Sequence, residues 1–305
     1  MNNKIKILII GGTGFIGYHL AKRSLKEGWD VVSISTRRPK KLRYISKVKY
    51  IICDITKKNI LKKKINKNFD FVVNLGGYVD HSDKKKTYES HYLGLKNLTS
   101  IFLKKHPKSF LQIGSGGEYG KSKSPHKEIF KGKPLSVYYK AKLLSSLHLI
   151  KLFKARKFPS IILRLYQAYG PRQDLNRFIP IIINSCIKNK KFPCSEGKQF
   201  RDFVFIDDVI EAIIKSLKNK KARGEIFNIG SGKPIKIKNI IKYINKKIKK
   251  GHPLYGKVKL RKDESIKVFP TITKAKKIIN WKPKTSFETG LKKTINFYYE
   301  QAKSY

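Results

Sequence analysis

The chain opens with an aliphatic run, Lys4 to Ile10, closed by Gly11 and Gly12. After it, Phe15, Ile16, His19, Leu20 and Leu25 recur at helical spacing and stop at Gly28. That pattern predicts a strand, a glycine turn and a helix from Phe15 to Lys26. Further short apolar runs follow at Val31 to Ser35, at Val48 to Cys53 ahead of Asp54, and at Phe71 to Leu75 ahead of Gly76 and Gly77. Two more, Phe110 to Ile113 and Ile161 to Leu165, are each preceded by a helical stretch, from about Tyr88 to Lys105 and from about Val137 to Lys154. Strands alternating with helices imply an α/β fold, a Rossmann-like doubly wound parallel sheet with right-handed crossovers.

Beyond Tyr166 the rhythm loosens. Helices are expected near Phe178 to Lys188, Asp208 to Lys218, Ile240 to Lys249 and Phe287 to Tyr299, and a strand near Ile226 to Ile229. Neither an internal repeat nor a low-complexity linker divides the chain. With 305 residues, 40% of them hydrophobic, it can bury a substantial core although 30% are charged.

Gly11, Gly14 and Gly17 give the spacing GxxGxxG within Gly11-Gly12-Thr13-Gly14-Phe15-Ile16-Gly17, between the first strand and the first helix. The first glycine allows the tight turn, the second lets the backbone approach a pyrophosphate, and the third lets helix and strand pack closely. In this context the loop points to a nicotinamide dinucleotide. The expected division is an NAD(P)-binding Rossmann domain over 1–165 with a returning segment near 202–230. A smaller α/β substrate-binding part over 166–305 is interleaved with it. An acidic residue at the end of the second strand would hold the ribose hydroxyl of NAD, and an arginine there accommodates the phosphate of NADP. The chain has Ser35-Thr36-Arg37-Arg38 at this place and no carboxylate. The arginines read either as solvated loop charges or as phosphate ligands. In a chain with few arginines the second reading is favoured, and NADP(H) is expected over NAD(H).

Charge changes the picture less than its size suggests. The net charge is +50, but 59 of the 70 basic residues are lysines spread along the whole length. A strong positive field draws nucleic acid or anionic membrane; it also attracts a diphosphate. No basic stripe is interleaved with stacking aromatics, so a nucleic-acid partner is not expected. Cys53, Cys186 and Cys194 have neither metal-type spacing nor a disulfide framework, and the seven histidines form no HExxH pair. No metal is expected, and the thiols fit a reducing compartment. The apolar start is too short for a signal peptide, and no run approaches the roughly 20 residues of a membrane span. A soluble, cytoplasmic protein is expected.

Tyr138 and Lys142 stand i, i+4 in Val137-Tyr138-Tyr139-Lys140-Ala141-Lys142, on one helix face. A phenol is a poor acid or base at neutral pH, and a neighbouring ammonium brings it nearer the working range. Ser115, after the fifth strand, could supply a hydroxyl to the same point.

Here the sequence resembles the extended short-chain dehydrogenase/reductase family, the nucleotide-sugar epimerases, dehydratases and reductases, over nearly its whole length. The likeness rests on GGTGFIG at 11–17, CDI at 53–55, GSGGEYG at 114–120, Pro134 to Lys142 as PxxxYxxxK, and RLYQAYGPRQ from Arg164 to Gln173. It continues with NRFIP at 176–180, RDFVFIDDV at 201–209, FNIGSG at 227–232 and WKP at 281–283. The resemblance implies that Tyr138 exchanges a proton with a sugar hydroxyl or carbonyl. It implies that Lys142 holds the nicotinamide ribose and lowers the pKa of Tyr138, and that Ser115 hydrogen-bonds the same substrate oxygen. Asp54 and Ile55 would lie by the adenine, and Gly76 and Gly77 by the cofactor. Arg201 would grip the diphosphate of a nucleotide sugar, with Asn176, Arg177 and Arg261 near the nucleotide. Arg201 also admits a structural reading, as the partner of Asp202 or Asp207. A homodimer through the helices after the fourth and fifth strands is implied too, as is a role in surface polysaccharide synthesis.

Departures from the family pattern guide the choice of reaction. Gly116 and Gly117 stand where dehydratases carry an acidic pair, Glu118 where relatives are apolar, and His91 and Gln167 where asparagine is common. The style of RLYQAYGP and NRFIP is most like the reductases of 4-keto-6-deoxy sugars. The expected activity is therefore reduction of a nucleotide-linked 4-keto sugar at C4. The alternatives are a nucleotide-sugar 4-epimerase with tightly bound cofactor and a non-enzymatic RNA-binding relative, the last opposed by the presence of Ser115, Tyr138 and Lys142.

Overall fold

The computed structural model describes residues 4–78, 80, 82–260 and 265–303. Its first half runs β1 (Lys6–Ile10), α1 (Phe15–Lys26), β2 (Asp30–Ser35), β3 (Lys49–Ile52), α2 (Lys58–Lys64), β4 (Phe71–Asn74), α3 (Lys84–Tyr88), α4 (Gly94–Phe102), β5 (Ser109–Ser115) and α5 (Val137–Arg156). The remainder is β6 (Ser160–Leu165), β7 (Gln167–Tyr169), α6 (Phe178–Ile187), β8 (Lys191–Pro193), β9 (Phe200–Phe205), α7 (Ile206–Lys218), β10 (Ile226–Ile229), β11 (Pro234–Lys236), α8 (Ile237–Ile248), β12 (His252–Leu254), β13 (Lys267–Val268), α9 (Thr273–Ile279) and α10 (Phe287–Lys303).

Seven strands form one parallel sheet in the order β10-β6-β5-β4-β1-β2-β3. Helices cover both faces, so its strands are largely apolar and buried, with a few polar side chains such as Gln112 and Arg164 among them. On β1, Ile7 and Ile9 join a layer with Leu20 of α1 and Ile213 and Leu217 of α7. Leu8 and Ile10 join the opposite layer with Leu61 of α2, Leu98 of α4 and Leu149 of α5. Each such side chain contributes about 1.5–3 kcal/mol on burial. The chain leaves β1 for β2 on one side and reaches β4 on the other, so a crevice opens beyond the carboxyl end of β1.

A smaller sheet is centred on β9, which pairs antiparallel with β11 and parallel with β7 and β13. Trp281, fully buried, donates from Nε1 to the Asp208 carbonyl at 2.9 Å and docks the segment before α10 onto α7. The loop after β7 is fastened to the first half. His19 Nε2 lies 3.0 Å from the Pro171 carbonyl, and the buried Arg43 donates to the Arg172 carbonyl at 2.7 Å and pairs with Asp174 at 3.0 Å. Arg172 in turn donates to the Leu42 carbonyl and lies 4.8 Å above the Tyr18 ring. No helix among the described residues is long and apolar enough to cross a membrane.

The helix expected from Tyr88 to Lys105 starts earlier and ends sooner. Asp83 caps α3 by accepting from Lys86 N at 2.9 Å, a π-helical turn (Glu89–Leu93) follows, and α4 ends at Phe102. Three lysines after Asp83 carry no apolar period, so the cap was the only local signal. The short α2 and α9 and the strands of the smaller sheet were not expected either. Elements of two to seven residues offer too few positions for a period to emerge.

Gly17 is where α1 meets the turn: a Cβ there would lie 2.4 Å from the Gly11 carbonyl oxygen and 2.5 Å from Gly12 Cα. Both obstacles are backbone, so the helix itself must shift. Gly17→Ala is expected to cost roughly 1–3 kcal/mol of stability, read as a lower midpoint in urea unfolding.

Candidate active site

The residues singled out for a dinucleotide gather at the carboxyl ends of neighbouring parallel strands. Gly11 leaves β1 with φ +79°, and its N–H donates to the Ile34 carbonyl at 2.7 Å. Gly14 is the N-cap of α1, with no side chain capping the helix and no acidic residue in its first turn. The free amide groups of that turn, which includes Phe15 and Ile16, suit a pyrophosphate. Thr13 N is 3.4 Å from Ser35 Oγ, and Arg37 and Arg38 follow β2 and are exposed. After β3, Asp54 accepts from Thr56 N at 2.8 Å and Ile55 is buried. Asn97 of α4 donates to the carbonyls of Ile55 and Thr56 at 3.0 and 3.1 Å, pinning that turn. Gly76 N donates to Asn74 Oδ1 at 3.1 Å, and the His91 ring occupies the space that a Cβ on Gly77 would need. This cradle of glycine turns and an uncapped helix end fits a nicotinamide dinucleotide.

Ser115 ends β5, and Tyr138 and Lys142 lie in the first turns of α5, whose N-cap Ser136 accepts from Tyr139 N at 3.2 Å. Tyr138 is half-buried, with the His91 ring edge-on at 4.9 Å. Lys142 is buried; its Nζ donates to the Ile113 carbonyl at 2.8 Å and stands 5.9 Å from the Tyr138 ring centroid. All three residues thus border the carboxyl end of β5.

Behind Ser115 lies a buried ion pair that went unrecognised in the sequence. Glu118 is fully buried and meets Arg164 of β6 at 2.9 Å. Its carboxylate also accepts from Ser115 N and from Ser146 Oγ, each at 2.8 Å. The legible signal was Ser115-x-x-Glu118, a capping box.

The residues expected to meet the substrate are more dispersed. Asn176 and Arg177 are exposed just before α6. Arg201, half-buried on β9, donates to the Phe200 and Ile266 carbonyls at 2.8 and 3.3 Å. Its neighbour Asp202 turns the other way, accepting from Ser231 N and Gly232 N at 2.6 and 2.7 Å. Arg261 lies outside the described residues. Among the described residues no group of three or more His, Cys, Asp or Glu is arranged to hold a metal ion.

The NAD dependent epimerase/dehydratase family matches residues 7–230. The chain belongs to that family. It is 30% identical to a Methanocaldococcus jannaschii protein provisionally named a UDP-glucose 4-epimerase, over 95% of this chain and 97% of that one. It is 26% identical to the CDP-abequose synthase of Salmonella muenchen, over 95% and 97%. The solved UDP-glucuronic acid 4-epimerase of Bacillus cereus, in complex with UDP-glucuronic acid and NAD, superposes with a TM-score of 0.88 at 25% identity, covering 97% of this chain and 100% of that one.

In this epimerase/dehydratase-family enzyme, burial dominates the electrostatics of the site. It pushes the Tyr138 phenol well above its ordinary value, with Tyr139 and Glu118 acting in the same direction and Arg177 against them. The Lys142 ammonium, expected to lower that value, donates here to the Ile113 carbonyl at 2.8 Å and stands 5.9 Å from the Tyr138 ring centroid. Tyr138 therefore keeps its proton at neutral pH.

Burial lowers the Lys142 pKa from 10.5 to about 8, opposed by the charge of Glu118. Between those two values the unfolded chain binds the proton and the folded chain does not, so stability rises with pH through that window and the full penalty stands below it. Lys142→Met is expected to be the more stable protein at pH 7, by up to about 3 kcal/mol, although it removes a hydrogen bond. Thermal unfolding at pH 7 and pH 10 reads this, the advantage over the unsubstituted chain shrinking at the higher pH.

Proposed function

We propose that this enzyme reduces the C4 carbonyl of a nucleotide-linked 4-keto-6-deoxy sugar, with NADPH preferred over NADH. The observation that carries the reading is a phenol held protonated at the carboxyl end of β5, next to a strand-end serine and a buried lysine. The nicotinamide supplies the hydride when bound. Tyr138 gives its proton to the C4 oxygen as negative charge develops there, and Ser115 Oγ donates a hydrogen bond to the same oxygen. Lys142 holds the nicotinamide ribose, and the Lys142–Ile113 contact keeps its side chain on the Tyr138 face of the helix. Arg201, Asn176 and Arg177 take the nucleotide diphosphate, a task for which a guanidinium fork is suited.

Two features support reduction. Gly116 and Gly117 leave no carboxylate directly after Ser115 to remove water from the sugar, and Glu118 is committed to Arg164. The exposed Arg37 and Arg38 follow β2, where the phosphate of NADP would lie. The likeness to a CDP-abequose synthase supports the same reading. The likeness to the provisionally named 4-epimerase favours a second one, in which the same residues oxidise C4 and return the hydride on the other face.

Absorbance at 340 nm separates the two. With NADPH and a panel of nucleotide-linked 4-keto-6-deoxy sugars, stoichiometric loss of absorbance is expected for one substrate, and Tyr138→Phe is expected to lower the rate at least about 100-fold. Isomerisation of a non-keto nucleotide sugar without added cofactor would decide for the epimerase.

We propose in addition a homodimer through α3 and α5. Tyr88, Leu93, Leu144 and Leu147 are exposed on these helices and the π-helical turn between α3 and α4. Sedimentation is expected to give twice the chain mass, and Leu144→Glu with Leu147→Glu the single chain.

A further inference from the structure

A fully buried carboxylate at the back of an active-site turn is costly, and an ion pair of this kind is often matched or bettered by apolar groups of the same volume. The fold alone therefore gives little reason for Glu118 and Arg164. Their geometry gives another. Glu118 Oε1 receives the backbone N–H of Ser115 at 2.8 Å, and Ser115 Oγ receives the N–H of Gly117 at 3.1 Å. The two side chains thus close a reciprocal box around the turn. With Oγ accepting from Gly117, the hydroxyl proton is left to point away from the turn.

The far side of the box is anchored in the sheet. Glu118 Oε2 accepts from Arg164 Nε at 2.9 Å and from Ser146 Oγ at 2.8 Å, so it ties β5 to β6 and α5 at once. The Arg164 guanidinium lies 4.4 Å over the Tyr119 ring, and Tyr119 donates to Asn228 of β10 at 2.8 Å. Gly114 makes the approach possible, since a Cβ there would lie 2.4 Å from Glu118 Oε1.

From this we infer that Glu118, braced by Arg164, is a positioning residue that fixes the Ser115 hydroxyl as a donor toward the reacting oxygen. The inference rests on the proposed role of Ser115. Glu118 touches no substrate; it acts through the Ser115 amide.

Two paired replacements and one cycle test it. In Glu118→Val with Arg164→Met the buried charges go together and an apolar pair fills the space. This protein is expected to fold, with kcat down about 100-fold and the sugar KM within about threefold of the original, since the lost interaction is one made in the transition state. Glu118→Gln with Arg164→Met keeps an acceptor for the Ser115 amide and is expected to recover most of that loss. Ser115→Ala should cost about 100-fold in the unsubstituted enzyme and almost nothing in the Val/Met background, the coupling expected of residues acting as a unit. Equal kcat in the two paired variants, or a full Ser115→Ala penalty in the Val/Met background, would overturn the inference. If the Val/Met pair fails to fold, Glu118→Met with Arg164→Met, closer to the original volume and likewise without an acceptor, carries the same test: a full Ser115→Ala penalty in that background also overturns the inference. If Ser115→Ala and Tyr138→Phe leave the unsubstituted enzyme unchanged, the proposed function itself has failed, and that outcome is distinct from the others.

Discussion

β1 gives Ile7 and Ile9 to one helical layer and Leu8 and Ile10 to the other, and β4 and β6 are buried on both faces in the same way. A sheet so enclosed takes polar side chains along its strands mainly where a partner lies beside them, as Asn74 donates to Gln112 at 2.7 Å and Arg164 to Glu118 at 2.9 Å. Chemistry is pushed to where each strand ends and its backbone must turn. Gly11, Ser35, Asp54, Gly76 and Ser115 all stand at such ends. Parallel pairing brings those ends to one edge, so residues far apart in sequence share a crevice without any of them being placed by its own loop alone.

Carboxylates are scarce here, 20 against 70 basic residues, yet several are buried. Glu118, Asp202 and Asp208 each receive backbone N–H groups: from Ser115, from Ser231 and Gly232, and from Lys284 and Thr285. They organise turns rather than answer surface lysines. The excess positive charge is left in water, where each lysine costs the fold little and contributes little. Lys142 is an exception, a lysine taken out of solvent and carried at a cost in stability.

What the sequence made legible follows from this division. The seven-stranded parallel sheet was readable because its strands are short, mostly apolar runs between glycine turns and periodic helices. The smaller sheet was not, since β7, β11 and β13 have only two or three residues and take their register from β9 rather than from any period of their own. At the site, the glycine loop and the Tyr138–Lys142 spacing are local patterns. The Lys142 contact with Ile113 spans 29 positions and Glu118 with Arg164 spans 46, distances over which one sequence carries no signal. Proximity along the helix puts Tyr138 and Lys142 on one face but does not name the Ile113 carbonyl as the partner of Lys142.

The path of the chain between the two sheets has a further consequence. β7 and β9 belong to the smaller sheet, β10 returns to the edge of the large one beside β6, and β11 goes back to pair with β9. The Arg43 and Arg172 contacts then lace the loop after β7 to the first half. The half after Tyr166 is therefore not a cassette. A graft that exchanged it for a relative's would have to carry or spare an edge strand of the other half, so new specificity is more readily reached by altering loops within one continuous body than by trading domains.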